Sequence, residues 1–225
     1  MAQDIALAGA SLTARGSGAL WWPDERLLCV ADLHLCKSER LARRGGPLLP
    51  PYETAETLDR LADEIAALAP AVVVCLGDSF DDCAAGKAIG NDETARLTAL
   101  MAGRDWVWIA GNHDPAPLAL GGSHLAALRL GPLTFRHQAE ADAAPGEISG
   151  HYHPKLRLPV RGGAVTRPCF LADATRLILP AFGAYTGGLH ADHPAISVLL
   201  GPGARAVLTG TPCVSLPLAA VVNVR

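Results

Sequence analysis

Three short apolar runs constrain this chain more than anything else in it: Leu27-Leu28-Cys29-Val30-Ala31, Val72-Val73-Val74-Cys75-Leu76 and Trp106-Val107-Trp108-Ile109-Ala110. An uninterrupted apolar run of about five residues, closed by turn residues, is the pattern of a strand buried on both faces, and such strands lie in largely parallel sheets. Parallel neighbours cannot be joined by a tight hairpin, so a crossover must separate them. The sequence supplies one between the first two runs, where Glu53 to Leu68 carries Leu58, Leu61, Ile65 and Leu68 at helical spacing with charges between them. A right-handed βαβ unit follows, and with it the α/β class. A second helix is expected over Glu93 to Met101.

Each run ends in residues that carry chemistry. Asp32-Leu33-His34 follows the first, Gly77-Asp78 the second and Gly111-Asn112-His113-Asp114 the third. In open α/β sheets ligands bind at that carboxyl edge, on loops from separate strands. Gly150-His151-Tyr152-His153 adds two imidazoles two residues apart, which on an extended segment point the same way. Leu133-Thr134-Phe135-Arg136-His137, introduced by Gly131-Pro132, reads as a strand ending in histidine. His124 competes for the same role but does not end an apolar strand. Two Asp, one Asn and four His make a mixed oxygen and nitrogen donor set without thiolate, which suits Mn, Fe, Zn or Co and excludes a Cys-type structural zinc site. Seven donors exceed one ion's needs; shared over two ions, with one bridging carboxylate, each ion receives about four.

In this order the motifs resemble the calcineurin-like binuclear metallophosphoesterases, whose pattern is D-x-H, G-D, G-N-H-[D/E], a lone His and G-H-x-H. The resemblance implies one domain over residues 1–225, built as a four-layer αββα sandwich of two mixed sheets. It implies that Asp32, His34 and His153 bind one divalent ion, that Asn112, His137 and His151 bind a second, and that Asp78 bridges them. The implied reaction is phosphoester hydrolysis by a metal-bridging hydroxide, without a covalent enzyme intermediate. His113 would act as general acid, with Asp114 accepting a hydrogen bond from its other ring nitrogen.

A narrower resemblance concerns the flanking segments. Ala31 to Ser38, Arg43-Arg44-Gly45 with Leu49-Pro50, and Leu179 to Gly188 are similar to the ligase-associated DNA damage response endonucleases, over about residues 26 to 190. That similarity implies a manganese-dependent endonuclease of single-stranded DNA, working with a DNA ligase, a helicase and an exonuclease. Cys36 to Pro47 carries four cations against one anion. In isolation such a cluster reads as a solvated helix face; directly after a metal ligand it lies at the rim of the site, where Lys37, Arg43 and Arg44 are candidates for holding substrate phosphates. Tyr152 and Tyr185 are candidate stacking residues, although packing is the preferred reading of both, and Asp81 and Asp82 read as solvated loop acids, with groups that support the metal ligands as the alternative. The alternatives are a small-molecule phosphodiesterase or pyrophosphatase on the same fold, and a non-catalytic scaffold. Scaffold versions lose ligands, and none is lost here.

A net charge of −3 on 225 residues advertises neither nucleic acid nor membrane globally. The six cysteines show no CxxC pairing and read as reduced thiols of a cytosolic protein. The start lacks a signal-peptide pattern, and no run approaches a membrane span. Residues 5–31 read as a β-meander in which Trp21 and Trp22 pack. Beyond residue 156, short strands are expected at 170–172, 177–179, 196–200, 206–208 and 220–224, forming the second sheet.

Overall fold

The computed structural model describes residues 2–115 and 120–222. The first sheet runs in chain order: β1 (Ala2–Leu7), β2 (Ala10–Arg15), β3 (Leu20–Trp22), β4 (Leu27–Val30), β5 (Val72–Leu76), β6 (Asp105–Ile109) and β7 (Ser123–Leu125). The meander β1 to β4 is antiparallel, and β4 to β7 are parallel. The three apolar runs are β4, β5 and β6, buried along nearly their whole length. Their crossovers hold α1 (Lys37–Arg43), α2 (Glu53–Leu68), α3 (Cys83–Ala88) and α4 (Asn91–Met101). Helix α2 spans the expected residues. It buries Leu58, Leu61 and Ile65 against the outer face of the sheet, about 1.5–3 kcal/mol for each side chain.

The second sheet comes from the C-terminal half: β8 (Ala127–Leu130), β9 (Leu133–Arg136), β10 (Glu147–Ser149), β11 (Lys155–Val160), β12 (Gly163–Ala172), β13 (Arg176–Ile178), β14 (Arg205–Leu208) and β15 (Val214–Pro217). Its order is β15-β14-β12-β13-β10-β9-β8, with β11 paired to β12 alone. Strands β9, β10 and β13 are parallel and the rest antiparallel, so both sheets are mixed. The sheets pack face to face through one apolar cluster that includes Leu12, Leu20, Leu76, Phe135, Ile148 and Phe170. Trp22 stacks on Phe135 across this seam, the packing role expected of it. Helices α5 (Pro194–Ser197) and α6 (Leu218–Val222) cover the far face and complete the four-layer α/β sandwich.

Two strands expected from sequence, 196–200 and 220–224, are these helices instead, whereas that expected at 206–208 is β14. Over 196–200, Pro194 at the first helical position and the His193 ring, which accepts the Ala195 N–H, start a turn that lays Ile196 on the third core. Residues 220–222 are helical because β15 already closes the sheet edge, and Leu218 and Val221 at helical spacing cap the core instead. Residues 223–224 of that expected strand lie outside the described residues.

Candidate metal centre

The loops after β4, β5, β6, β9 and β10 converge where the carboxyl edges of the two sheets meet. Asp32, His34, Asp78, His151 and His153 all adopt left-handed backbone, with φ of 54°, 45°, 45°, 71° and 46°. That conformation costs a non-glycine residue about 1–2 kcal/mol and persists only where the surroundings over-determine it. Here they do. His34 N–H donates to the Asp78 carbonyl (2.9 Å), Leu35 to Ser79 (2.9 Å), Asp81 back to Leu35 (3.0 Å), and Phe182 to Ala31 (2.8 Å). Two motif glycines let the loops close. A Cβ on Gly111 would overlap the Asp78 backbone and carboxylate, and one on Gly150 would press on the Asp32 carboxylate.

Two donor clusters gather the expected ligands, Asp32-His34-His153 and Asp78-His137-His151, while a third grouping, His34-Asp81-His113, adjoins the first through His34. In the first, His34 Nε2 and His153 Nε2 stand 3.4 Å apart, and Asp32 Oδ1 lies 3.3 Å from the latter. In the second, Asn112 Oδ1 is 2.9 Å from His137 Nε2 and 3.0 Å from His151 Nδ1. Asp78 Oδ2 lies 3.4 Å from His137 Nε2 and 3.9 Å from His34 Nε2, between the clusters. His151 and His153 do not point the same way. With both in the left-handed region the extended-strand alternation fails, and each imidazole serves a different cluster. His124 is in neither; its ring stacks on Trp108 at the edge of the first sheet.

The chemistry of these atoms fits two divalent cations. Both aspartates commit one oxygen to a backbone N–H, Asp32 Oδ2 to His151 and Asp78 Oδ1 to His113. The other oxygen of Asp32 is buried and accepts no hydrogen bond, an arrangement stable only beside a positive charge. Burial depresses the His137 imidazole, yet the Asp78 carboxylate, with Asp32 behind it, lifts its pKa to about 9, so the cage favours positive charge there. Burial and the His137 charge push His151 down, keeping its lone pair free. His137 Nδ1 donates to the Leu76 carbonyl (2.9 Å), which turns Nε2 inward.

His34 is oriented by Asp81, for which the less favoured of the two sequence readings holds. Asp81 is fully buried rather than a solvated loop acid, and its Oδ1 sits 2.8 Å from His34 Nδ1. The bridge between Leu35 and Phe80 folds the loop inward at this point. The only signal was its spacing, three residues after Asp78. Asp82 is the N-cap of α3, accepting the Ala85 N–H at 2.7 Å. His113 does not bond to Asp114 as expected; its Nδ1 donates to the Asp81 carbonyl (2.8 Å) and its ring meets the His34 ring edge-on at 5.0 Å. Asp114 instead accepts the Phe80 N–H (3.0 Å), bracing the same loop, and burial raises its pKa to about 6.

The sequence profile of the calcineurin-like phosphoesterases matches residues 25–161. The chain belongs to the calcineurin-like phosphoesterase family. Comparison with curated proteins finds no match. Among solved structures, the phosphoesterase is similar to the crystal structure of the Pseudomonas putida nuclease MPE, with 28% identity over 96% of this chain and 100% of that one, at a TM-score of 0.73. It is accordingly a metal-dependent phosphoesterase, with both donor clusters intact.

The rim cations of this phosphoesterase have acid partners. Lys37 Nζ lies 3.9 Å from Asp81, Arg40 pairs with the same carboxylate, and Arg43 and Arg44 grip Asp82 at 2.8 and 2.9 Å, with Glu39 also on Arg43. Two residues after His153, Lys155 donates to the Thr186 carbonyl (3.1 Å), and burial with the nearby Lys37 charge lowers its pKa. Tyr152 is buried and packs its ring on His151, whereas Tyr185, at φ 57°, is 41% exposed. Among the described residues no helix is long and apolar enough to cross a membrane, and no disulfide joins the cysteines.

Proposed function

We propose that the protein is a manganese-dependent endonuclease of single-stranded DNA that acts in DNA repair, in company with a DNA ligase, a helicase and an exonuclease. The observation that carries the reading is the pair of donor clusters with Asp78 between them, which suits hydrolysis of a phosphodiester; the nuclease similar along its whole length supports nucleic acid as the diester.

Asp32, His34 and His153 would hold one ion and Asn112, His137 and His151 the other, with Asp78 between them. Bound there, two divalent ions supply the positive charge that activates water and neutralises the phosphate. The protein's own groups do the rest. Asp81 fixes the His34 ring and the Leu76 carbonyl fixes that of His137, so both lone pairs are set before substrate arrives. The Asp81 carbonyl keeps His113 Nδ1 a donor in either protonation state, which leaves Nε2 as the atom that gives a proton to the leaving alkoxide. Asp114 holds the Asp78 loop on which both clusters depend. Lys37, Arg43 and Arg44, though held by Asp81 and Asp82, would steer substrate phosphates from the rim.

The test is cleavage of a closed circular single-stranded DNA by metal-stripped protein reloaded with Mn²⁺, with Asp78→Ala as control. Linearisation and further fragmentation, lost in the variant, is the expected result. An untouched circle alongside hydrolysis of bis-nitrophenyl phosphate would replace the nuclease reading with a small-molecule diesterase.

A further inference from the structure

The hairpin formed by β11 and β12 leaves the body of the phosphoesterase two residues after His153. Between His153 and Asp173 stand Lys155, Arg157, Arg161 and Arg167, and no acid. The foot of the hairpin is anchored. Lys155 N–H donates to the Leu189 carbonyl, its own carbonyl accepts from Ala191 (both 2.8 Å), and Leu156 and Leu158 pack on the third core. From Pro159 to Pro168 every residue is exposed. The register opposes Lys155 to Pro168 and Arg157 to Thr166, which places Lys155 and Arg157 on one face and the leucines on the other. Arg161 stands in the turn beyond them.

These cations are not neutralised by the fold. Among the described residues, neither Arg157 nor Arg161 has a hydrogen-bond or ion-pair partner, and Asp192, on the opposite wall of the groove that Lys155 and Arg157 line, pairs with neither. A bare two-stranded projection gains little from its own contacts in water, so unpaired like charge along it is best satisfied by an external polyanion. Lys155 and Arg157 are about 6.8 Å apart along the strand, and Arg161 lies roughly 20 Å from Lys155, giving a graded track that begins at the metal centre. At its foot Lys155 holds the segment that presents the exposed ring of Tyr185. A basic track beside an exposed aromatic is the arrangement that binds a single strand without reading its sequence.

We infer that the β11–β12 hairpin is a strand-guiding arm, in which Lys155, Arg157 and Arg161 hold successive phosphates of a single-stranded nucleic acid whose scissile diester lies at the metal centre. This inference rests on the nuclease reading and adds to it where the strand runs. It makes the arm matter more as the substrate lengthens, since a dinucleotide cannot reach Arg161.

The experiment compares wild-type full-length protein, Arg157→Gln/Arg161→Gln and Arg157→Glu/Arg161→Glu on three substrates: bis-nitrophenyl phosphate, a dinucleotide and a labelled 20-nucleotide strand, all with Mn²⁺. The arm requires that kcat/KM for the 20-mer relative to bis-nitrophenyl phosphate fall tenfold or more in the charge-reversed variant. It also requires that 20-mer binding by the neutral variant depend less steeply on salt, the log–log slope becoming shallower by about 1.4 for two lost phosphate contacts. Equal 20-mer cleavage and equal salt slopes in all three proteins would overturn the arm while leaving the nuclease standing. A wild-type protein that hydrolyses bis-nitrophenyl phosphate but neither binds nor cuts the 20-mer would overturn both.

Discussion

Helix α1 and the β11–β12 hairpin are the two basic segments beside the metal centre, and they hold their charge in opposite ways. In α1 every cation named as a substrate ligand has a carboxylate from the loop after β5, some forty residues away: Lys37 faces Asp81, and Arg43 and Arg44 hold Asp82. In the hairpin Arg157 and Arg161 have no such partner among the described residues. The difference shows that charge counted along a sequence is not charge available in the fold. A helix packed beside an acidic loop pairs its cations within the fold, whereas a projecting hairpin leaves them for a ligand. The α1 cations should therefore register in stability, and those of the hairpin in binding.

The largest effect is expected at Asp81→Asn. It leaves Arg40 and Lys37 without their buried counter-charge and His34 without its orienting carboxylate. We expect a loss of about 2–4 kcal/mol, on the order of 10 °C in melting temperature for a chain of this size. Mn²⁺-dependent diester hydrolysis should fall about 10- to 100-fold. A variant that melts like the wild type would show that α1 is not held by this carboxylate. Next in size, Arg157→Glu/Arg161→Glu should leave folding stability within about 0.5 kcal/mol of wild type, as exposed substitutions do, while nucleic-acid affinity falls; a large drop in melting temperature would make the hairpin structural like α1.

A smaller effect concerns pH. Although burial pushes Asp82 up, the Ala85 N–H and the Arg43 and Arg44 guanidiniums bring its pKa down to about 2. A depressed carboxylate adds stability above its unfolded value, near 3.9, and that stability is lost as pH falls through the folded value. Melting temperature plotted between about pH 4 and 2 should therefore slope less steeply in Asp82→Asn than in wild type. Smallest of all, Arg44→Ala removes an ion pair from a side chain that is 59% exposed. We expect under about 1 kcal/mol by denaturant titration. A larger loss would move Arg44 into the core of the α1 clamp.

The parts legible in the sequence were those set by short-range pattern. Apolar runs fixed β4, β5 and β6, helical spacing fixed α2 to the residue, and the strand ends delivered the donors that the fold gathers. What stayed hidden depends on distant partners. The spacing of Asp81 from Asp78 admits a supporting role but does not show that the bridge between Leu35 and Phe80 buries it, and nothing near Asp114 says that its carboxylate faces the Phe80 N–H rather than His113. The hairpin had a local signal that went unread, an Arg161-Gly162-Gly163 turn between alternating segments with no acid on either side. The helices at 194–197 and 218–222 were mistaken for strands because runs of four or five apolar residues fit either period.

The left-handed backbone at Asp32, His34, Asp78, His151 and His153 bears on how such a chain can change over generations. At each of these positions glycine suits the main chain best, because it alone has no Cβ to clash there. The substitution that most relaxes the loop is therefore one that deletes a metal donor. Mutational drift towards a more stable fold and drift towards an inert one share a direction here, so the reactive centre persists only under continued selection for hydrolysis.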